Sequence, residues 1–116
     1  MGNGREDGRR RAATETRRGW AVPLHHEAVE YLVKSGVQHL LLDLPSVDRE
    51  EDGGKLLSHR AFWQYPEATR AYATITEMVF VPNTVKDGLY LLNLQTTSLD
   101  LDASPSKPVV FALHGT

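Results

Sequence analysis

Through residues 1–19, MGNGREDGRRRAATETRRG, small and polar residues run without any apolar period. A segment that buries so little cannot offset the entropy of ordering it, so a disordered, solvated tail is expected, with an Arg contact to nucleic acid or lipid as the minor alternative. From Trp20 the pattern changes. Val29, Leu32 and Val33 recur at helical spacing in HHEAVEYLVKSG, Glu27 and Glu30 lie toward its start, and Gly36 stands where a helix can close on a left-handed residue. That stretch predicts a helix. VQHLLLDL follows, an apolar run too short for a second helix and ended by Pro45, which reads as a strand buried on both faces.

The Pro, Ser, Asp and Gly residues of PSVDREEDGG predict a loop. KLLSHRAFWQ predicts a short helix that stops near Tyr65, because Pro66 restricts the residue before it. After PEATRAY, the β-branched ATITEMVFV predicts a strand, and LYLLNLQTTS and PVVFAL predict two more, separated by the turn residues of DLDASPSK. The chain therefore reads as α/β: a helix and a buried strand followed by a mostly β half. No internal repeat interrupts it. The expected organisation is a tail over 1–19 and one domain over 20–116.

Composition narrows the class. Hydrophobic residues make up 41% and charged residues 24%, close to the globular average. No apolar run approaches the roughly 18 residues of a membrane span, and no apolar segment follows the Arg-rich start as a secretory signal requires, so a cytoplasmic protein is expected. With no Cys, disulfides and thiolate chemistry are excluded, and any metal must be held by His and carboxylates. The net charge of −2 is unevenly spread, with six Arg against three acids in residues 1–18 and seven bases against twelve acids beyond. An acidic body argues against a nucleic-acid surface.

The candidate chemistry lies in two polar side chains on apolar faces. In a helical KLLSHRAFWQ, Leu56, His59 and Trp63 share one stripe, so His59 should face inward. In an extended ATITEMVFV, Glu77 shares a face with Ala73, Ile75, Val79 and Val81. A buried carboxylate needs a cation or hydrogen-bond donors, and imidazole with carboxylate suits Zn²⁺ or Mn²⁺. A satisfied core His and a Glu paired with Arg49, Arg60 or Arg70 are the structural alternatives. His25 and His26 read as helix-start residues, since consecutive helical side chains point about 100° apart. His39 reads as a hydrogen-bonded core residue, and His114 as part of a frayed end. Signatures of serine nucleophiles, phosphate loops, dinucleotide sites and H-E-x-x-H helices are missing from the sequence.

Taken together, GVQHLLLDLPSVDREEDGGKLLSHRAFW and ITEMVFVPNTVKDGLYLLNLQ resemble the cyclase family of metal-dependent hydrolases, which includes kynurenine formamidases. The resemblance runs from about residue 25 to residue 113. It rests on an order: helix, G-V, strand, D-x-P-S-V-D loop, then a His on a helix and a Glu on a strand. It implies the C-terminal part of a cyclase-like, swivelling β/β/α fold. In that family the later His and the Glu complete a metal site begun by an H-x-G-T-H-x-D-x-P segment, which implies ligand roles for His59 and Glu77 toward Zn²⁺ or Mn²⁺. Asp43, Pro45, Ser46 and Asp48 match the family's loop beside the active site, where side-chain to backbone hydrogen bonds shape the turn. None of the four is expected to be catalytic. WQYPEATRAY reads as an insertion that widens the His59 to Glu77 interval and covers a pocket or a subunit interface.

The H-x-G-T-H-x-D-x-P segment does not occur among the 116 residues, so only part of the family's ligand set is present, and its general acid/base His has no counterpart. The activity implied is metal-dependent hydrolysis of a formamide or related amide of the N-formylkynurenine type. The alternative is a non-catalytic interaction protein that associates with itself or with a complete subunit.

Overall fold

The structure, a computed structural model, describes residues 23–49 and 53–114. The tail expected over 1–19 lies outside the described residues. Within the chain, contacts separate into two compact units, one up to Val79 and one from Phe80 onward. Helices and strands are mixed, as an α/β reading requires.

The first unit begins with α1, His26–Lys34. His25 is its N-cap, in extended conformation, and its ring accepts from the Glu27 amide at 3.4 Å. The other end closes as the sequence implied. Gly36 adopts φ 86°, its amide donates to Val33, and the Val37 amide donates to Leu32, the paired bonds of a Schellman ending. A side chain at Gly36 would meet open space, so it is the left-handed backbone that calls for glycine there.

β1, His39–Leu41, pairs in parallel with β2, Thr74–Thr76, in the register His39 with Thr74, Leu40 with Ile75 and Leu41 with Thr76. Parallel neighbours need a crossover, and here it carries α2, Leu57–Trp63. Val29 from α1, Val47 from the loop, Phe62 from α2 and Ala73 beside β2 form the buried centre. Leu40 and Ile75 pack against it from the sheet. Arg70 stitches this layer together: its guanidinium donates to the carbonyls of Phe62 at 2.8 Å and Val37 at 2.5 Å, and lies 5.0 Å from the centre of the Phe62 ring.

Three expectations change. β1 is not buried on both faces, and among the described residues it has one strand neighbour. His39 is exposed, and Leu40 and Leu41 are half-buried. β2 is much shorter than ATITEMVFV, since Met78 takes a left-handed φ of 58° and ends the alternation, leaving Val81 exposed. The stripe buried by α2 is centred on Ser58 and Phe62 rather than on Leu56, which sits outside the helix at its N-cap with φ 48°. Its end at Trp63 agrees with the stop imposed by Pro66.

The second unit is less regular than a mostly β half implies. It contains an antiparallel pair, β3 (Tyr90–Asn93) with β4 (Val109–Ala112), in which Leu91 faces Phe111 and Leu92 faces Val110. Leu89, Leu91, Val110, Phe111 and Leu113 are all exposed.

Candidate functional site

The loop after β1 does more than turn the chain. Its side chains and amides tie it to both elements that follow. The Asp48 amide donates to the Ser46 hydroxyl at 3.2 Å, a local turn bond of the kind the sequence suggested. The Asp48 carboxylate then crosses to α2. Its Oδ1 accepts from the Ser58 amide at 2.7 Å, and its Oδ2 accepts from the His59 amide at 3.1 Å. Leu56 has no polar side chain to cap α2, so a carboxylate eight residues upstream satisfies two of the first-turn amides instead.

The same Oδ2 lies 2.6 Å from Nδ1 of the His59 ring. On the other side of the ring, Nε2 is 3.4 Å from Oε1 of Glu77. That Glu77 oxygen also accepts from the Val47 amide at 2.8 Å, so the loop is held at two successive residues by two different carboxylates. The Trp63 ring stands 5.5 Å from the His59 ring, and its indole N–H donates to the Ala73 carbonyl at 2.8 Å. The Ser58 hydroxyl donates to Leu24 at 2.8 Å, fixing the start of α2 against the segment before α1.

The sequence-derived pair therefore meets. The His59 side chain is 20% exposed and Glu77 29%, so both can reach a ligand, while Asp48 at 7% cannot do so readily. Burial pushes the Asp48 carboxyl upward, but the His59 side chain and the Ser58 and His59 amides outweigh it and hold the carboxyl below its ordinary 3.8. Arg70 is committed to carbonyls and Arg60 lies over the Tyr65 ring, so neither serves as the partner expected for Glu77.

The Asp48–His59 contact was not legible in the loop motif. The D-x-P-S-V-D pattern points only to a turn-forming role for Asp48, the residue that matters for His59. An acidic residue upstream of a helix that lacks its own polar cap is the signal that points to it.

Chemistry decides what the line Asp48–His59–Glu77 can hold. An ionised carboxylate only accepts, so Nδ1 carries the proton toward Asp48. In the neutral ring Nε2 then presents a lone pair to a carboxylate oxygen, which repels it unless a cation lies between them or the ring takes a second proton. Two ligands of one tetrahedral zinc, at about 2.0–2.2 Å each, stand about 3.4 Å apart. The observed 3.4 Å fits that separation.

His25, His26 and Glu27 form another group whose donor atoms lie within 4.8 Å of one another. The expectation that adjacent histidines diverge does not apply to this pair, because His25 lies outside the helix and the two ring centres come to 4.3 Å. The group sits on the positive end of α1, which disfavours a cation, and the His25 ring already accepts the Glu27 amide. A groove of about 510 Å³ runs between α1 and α2, with Glu30, Lys34, Arg60 and Glu67 in its walls; His59 and Glu77 do not line it. His39 bonds through Nδ1 to the Thr74 hydroxyl at 2.9 Å but is exposed rather than core, and His114 is exposed beyond β4.

No family model, curated protein or solved structure matches this chain. Among the described residues, no helix is long and apolar enough to cross a membrane.

Proposed function

We propose that the first unit supplies two ligands, His59 and Glu77, to a divalent-metal centre that hydrolyses a formamide or related amide of the N-formylkynurenine type. The observation that carries this reading is the 3.4 Å between Nε2 and Oε1, with both atoms on partly exposed side chains. The identity of the reaction rests on the resemblance of these segments to the cyclase family, in whose C-terminal, swivelling β/β/α portion the same two residue types are ligands. When bound, zinc or manganese would supply Lewis acidity toward the scissile carbonyl and toward water. The chain's own residues would hold that ion by one imidazole and one carboxylate. Catalytic zinc usually takes three protein ligands, so the remaining donors would come from an H-x-G-T-H-x-D-x-P segment on a complete subunit.

The test is calorimetric titration of the chain with Zn²⁺ and with Mn²⁺, repeated on His59→Ala, Glu77→Ala and the His25→Ala/His26→Ala pair. Binding should weaken at least tenfold in each of the first two and persist in the third. N-formylkynurenine hydrolysis, assayed after mixing with a subunit that bears the missing segment, should fall with the same two substitutions. Isotherms for His59→Ala and Glu77→Ala that overlay the unsubstituted chain would overturn the ligand assignment.

A second reading is favoured by a separate observation, the exposure of Leu91, Val110 and Phe111 on the β3–β4 pair. Such an apolar surface supports association with another copy of this chain or with a complete subunit, with or without chemistry at the first unit.

A further inference from the structure

A ligand pair at His59 and Glu77 does not in itself require Asp48 to touch the imidazole, and the turn around Ser46 does not require it either. The contact is nevertheless among the shortest polar contacts in the molecule, at 2.6 Å. We propose that Asp48 is the positioning residue of His59: it fixes the ring as the tautomer protonated on Nδ1 and so aims the Nε2 lone pair toward Glu77. The inference deepens, and rests on, the reading of His59 as a metal ligand.

Several independent constraints make the carboxylate a rigid reference. Oδ1 and Oδ2 each accept a backbone amide from the first turn of α2, so the group cannot rotate without losing one of them. Oδ2 receives both the amide and the ring nitrogen of the same residue, which closes a small cycle around His59 and restricts its side-chain torsions. Trp63, one turn further along α2, stands beside the ring and narrows its remaining freedom. Opposite, Glu77 is itself held by the Val47 amide, the residue next to Asp48. One short loop thus sets both the ring and the carboxylate that faces it.

The physical consequence is preorganisation. Flipping the imidazole would present a carbon to an anionic oxygen at hydrogen-bond distance, and moving the proton to Nε2 would leave Oδ2 facing a lone pair. A carboxylate on the far nitrogen also raises the basicity of the coordinating one, and losing such a partner typically weakens metal affinity about 10–100-fold.

The tautomer can be read without any metal, by long-range proton–nitrogen correlation of the His59 ring at pH 8. The expected spectrum has Nδ1 protonated, whether or not Nε2 shares a further proton with Glu77 in the absence of a cation. Asp48→Asn should move the ring toward a mixture of tautomers and weaken Zn²⁺ binding by about 10–100-fold. Ser58→Ala, which removes the hydroxyl bond to Leu24 and a lesser hydroxyl contact to Asp48 but keeps both amide bonds and the ring contact, should lower stability without changing the tautomer. A wild-type ring with a bare Nδ1, protonated on Nε2 alone, overturns the assignment even if Asp48→Asn fails to fold. So does a folded Asp48→Asn protein with the wild-type tautomer and zinc affinity. If the unsubstituted chain shows the expected tautomer but takes up no metal, the ligand reading falls and the positioning of His59 by Asp48 stands.

Discussion

The two units handle their chemically costly groups in opposite ways. In the first, apolar side chains from two helices, a loop and the edge of a sheet meet at Phe62, Val29 and Val47, and two carboxylates are bound into the loop between them. Among the described residues, no buried side-chain nitrogen or oxygen lacks a partner. In the second, the paired strands place Leu91 opposite Phe111 and leave both in solvent. An isolated two-stranded hairpin is marginal in water even with favourable side-chain pairs. Specificity therefore resides in the first unit, which has one buried centre and one defined polar line, whereas the described residues of the second offer apolar surface.

The largest effect is expected at the centre of the first unit. Phe62 is fully buried and touched by both Trp63 and Arg70, so Phe62→Ala should cost about 3–5 kcal/mol, a large share of the roughly 5–15 kcal/mol that holds a typical domain. Hydrogen exchange locates the loss. Protection should collapse at Val29 and Phe62, with no matching change at Leu91 and Leu92. A matching loss in β3–β4 would show that the two units unfold as one.

A smaller effect sharpens the contrast through pH. Asp48 makes hydrogen bonds that involve a charge, so Asp48→Asn should cost about 2 kcal/mol at neutral pH. Its folded carboxyl lies below the ordinary 3.8, which means the unfolded chain takes up the proton first as pH falls. The carboxylate's contribution is therefore complete above that ordinary value and is lost as pH drops through the lower folded one. Thermal melts of the two proteins should differ at pH 6 and begin to converge only below about pH 4, closing as pH falls through the lower folded value. A gap that persists unchanged to pH 2 would mean that the variant fails for a reason other than the charge.

How far these features could be read from the sequence depends on how local their causes are. α1 was legible almost to the residue, because helical period, an N-terminal cap and a left-handed glycine all act within one or two turns. Strand ends were not. Alternation in ATITEMVFV continues past Thr76, but pairing with β1 does not, and the left-handed Met78 leaves no mark in an apolar pattern. His39 escapes for a related reason: an apolar run reveals a strand but not which of its faces is covered. His59 and Glu77 were found because a polar residue on an apolar face is conspicuous. Asp48 was assigned only local work because its partners lie ten and eleven residues away, across a turn whose path is fixed by tertiary contacts.

The smallest effect is expected in the second unit, and it tests the comparison from the other side. Leu91 is 62% exposed and Phe111 53%, so replacing either by Thr removes little buried area and keeps a residue suited to strands. If that surface is free, Leu91→Thr and Phe111→Thr should each shift stability by no more than about 0.5 kcal/mol, as surface changes usually do. The same two proteins run through sedimentation analysis at several concentrations should behave alike and like the parent. A cost of about 2 kcal/mol or more, with a fall in apparent mass, would give the opposite answer: these side chains would be behaving as buried groups do. The second unit would then be half of an interface between copies. Its lack of a core would be a property of the single chain, while the first unit would remain the part whose order is built in.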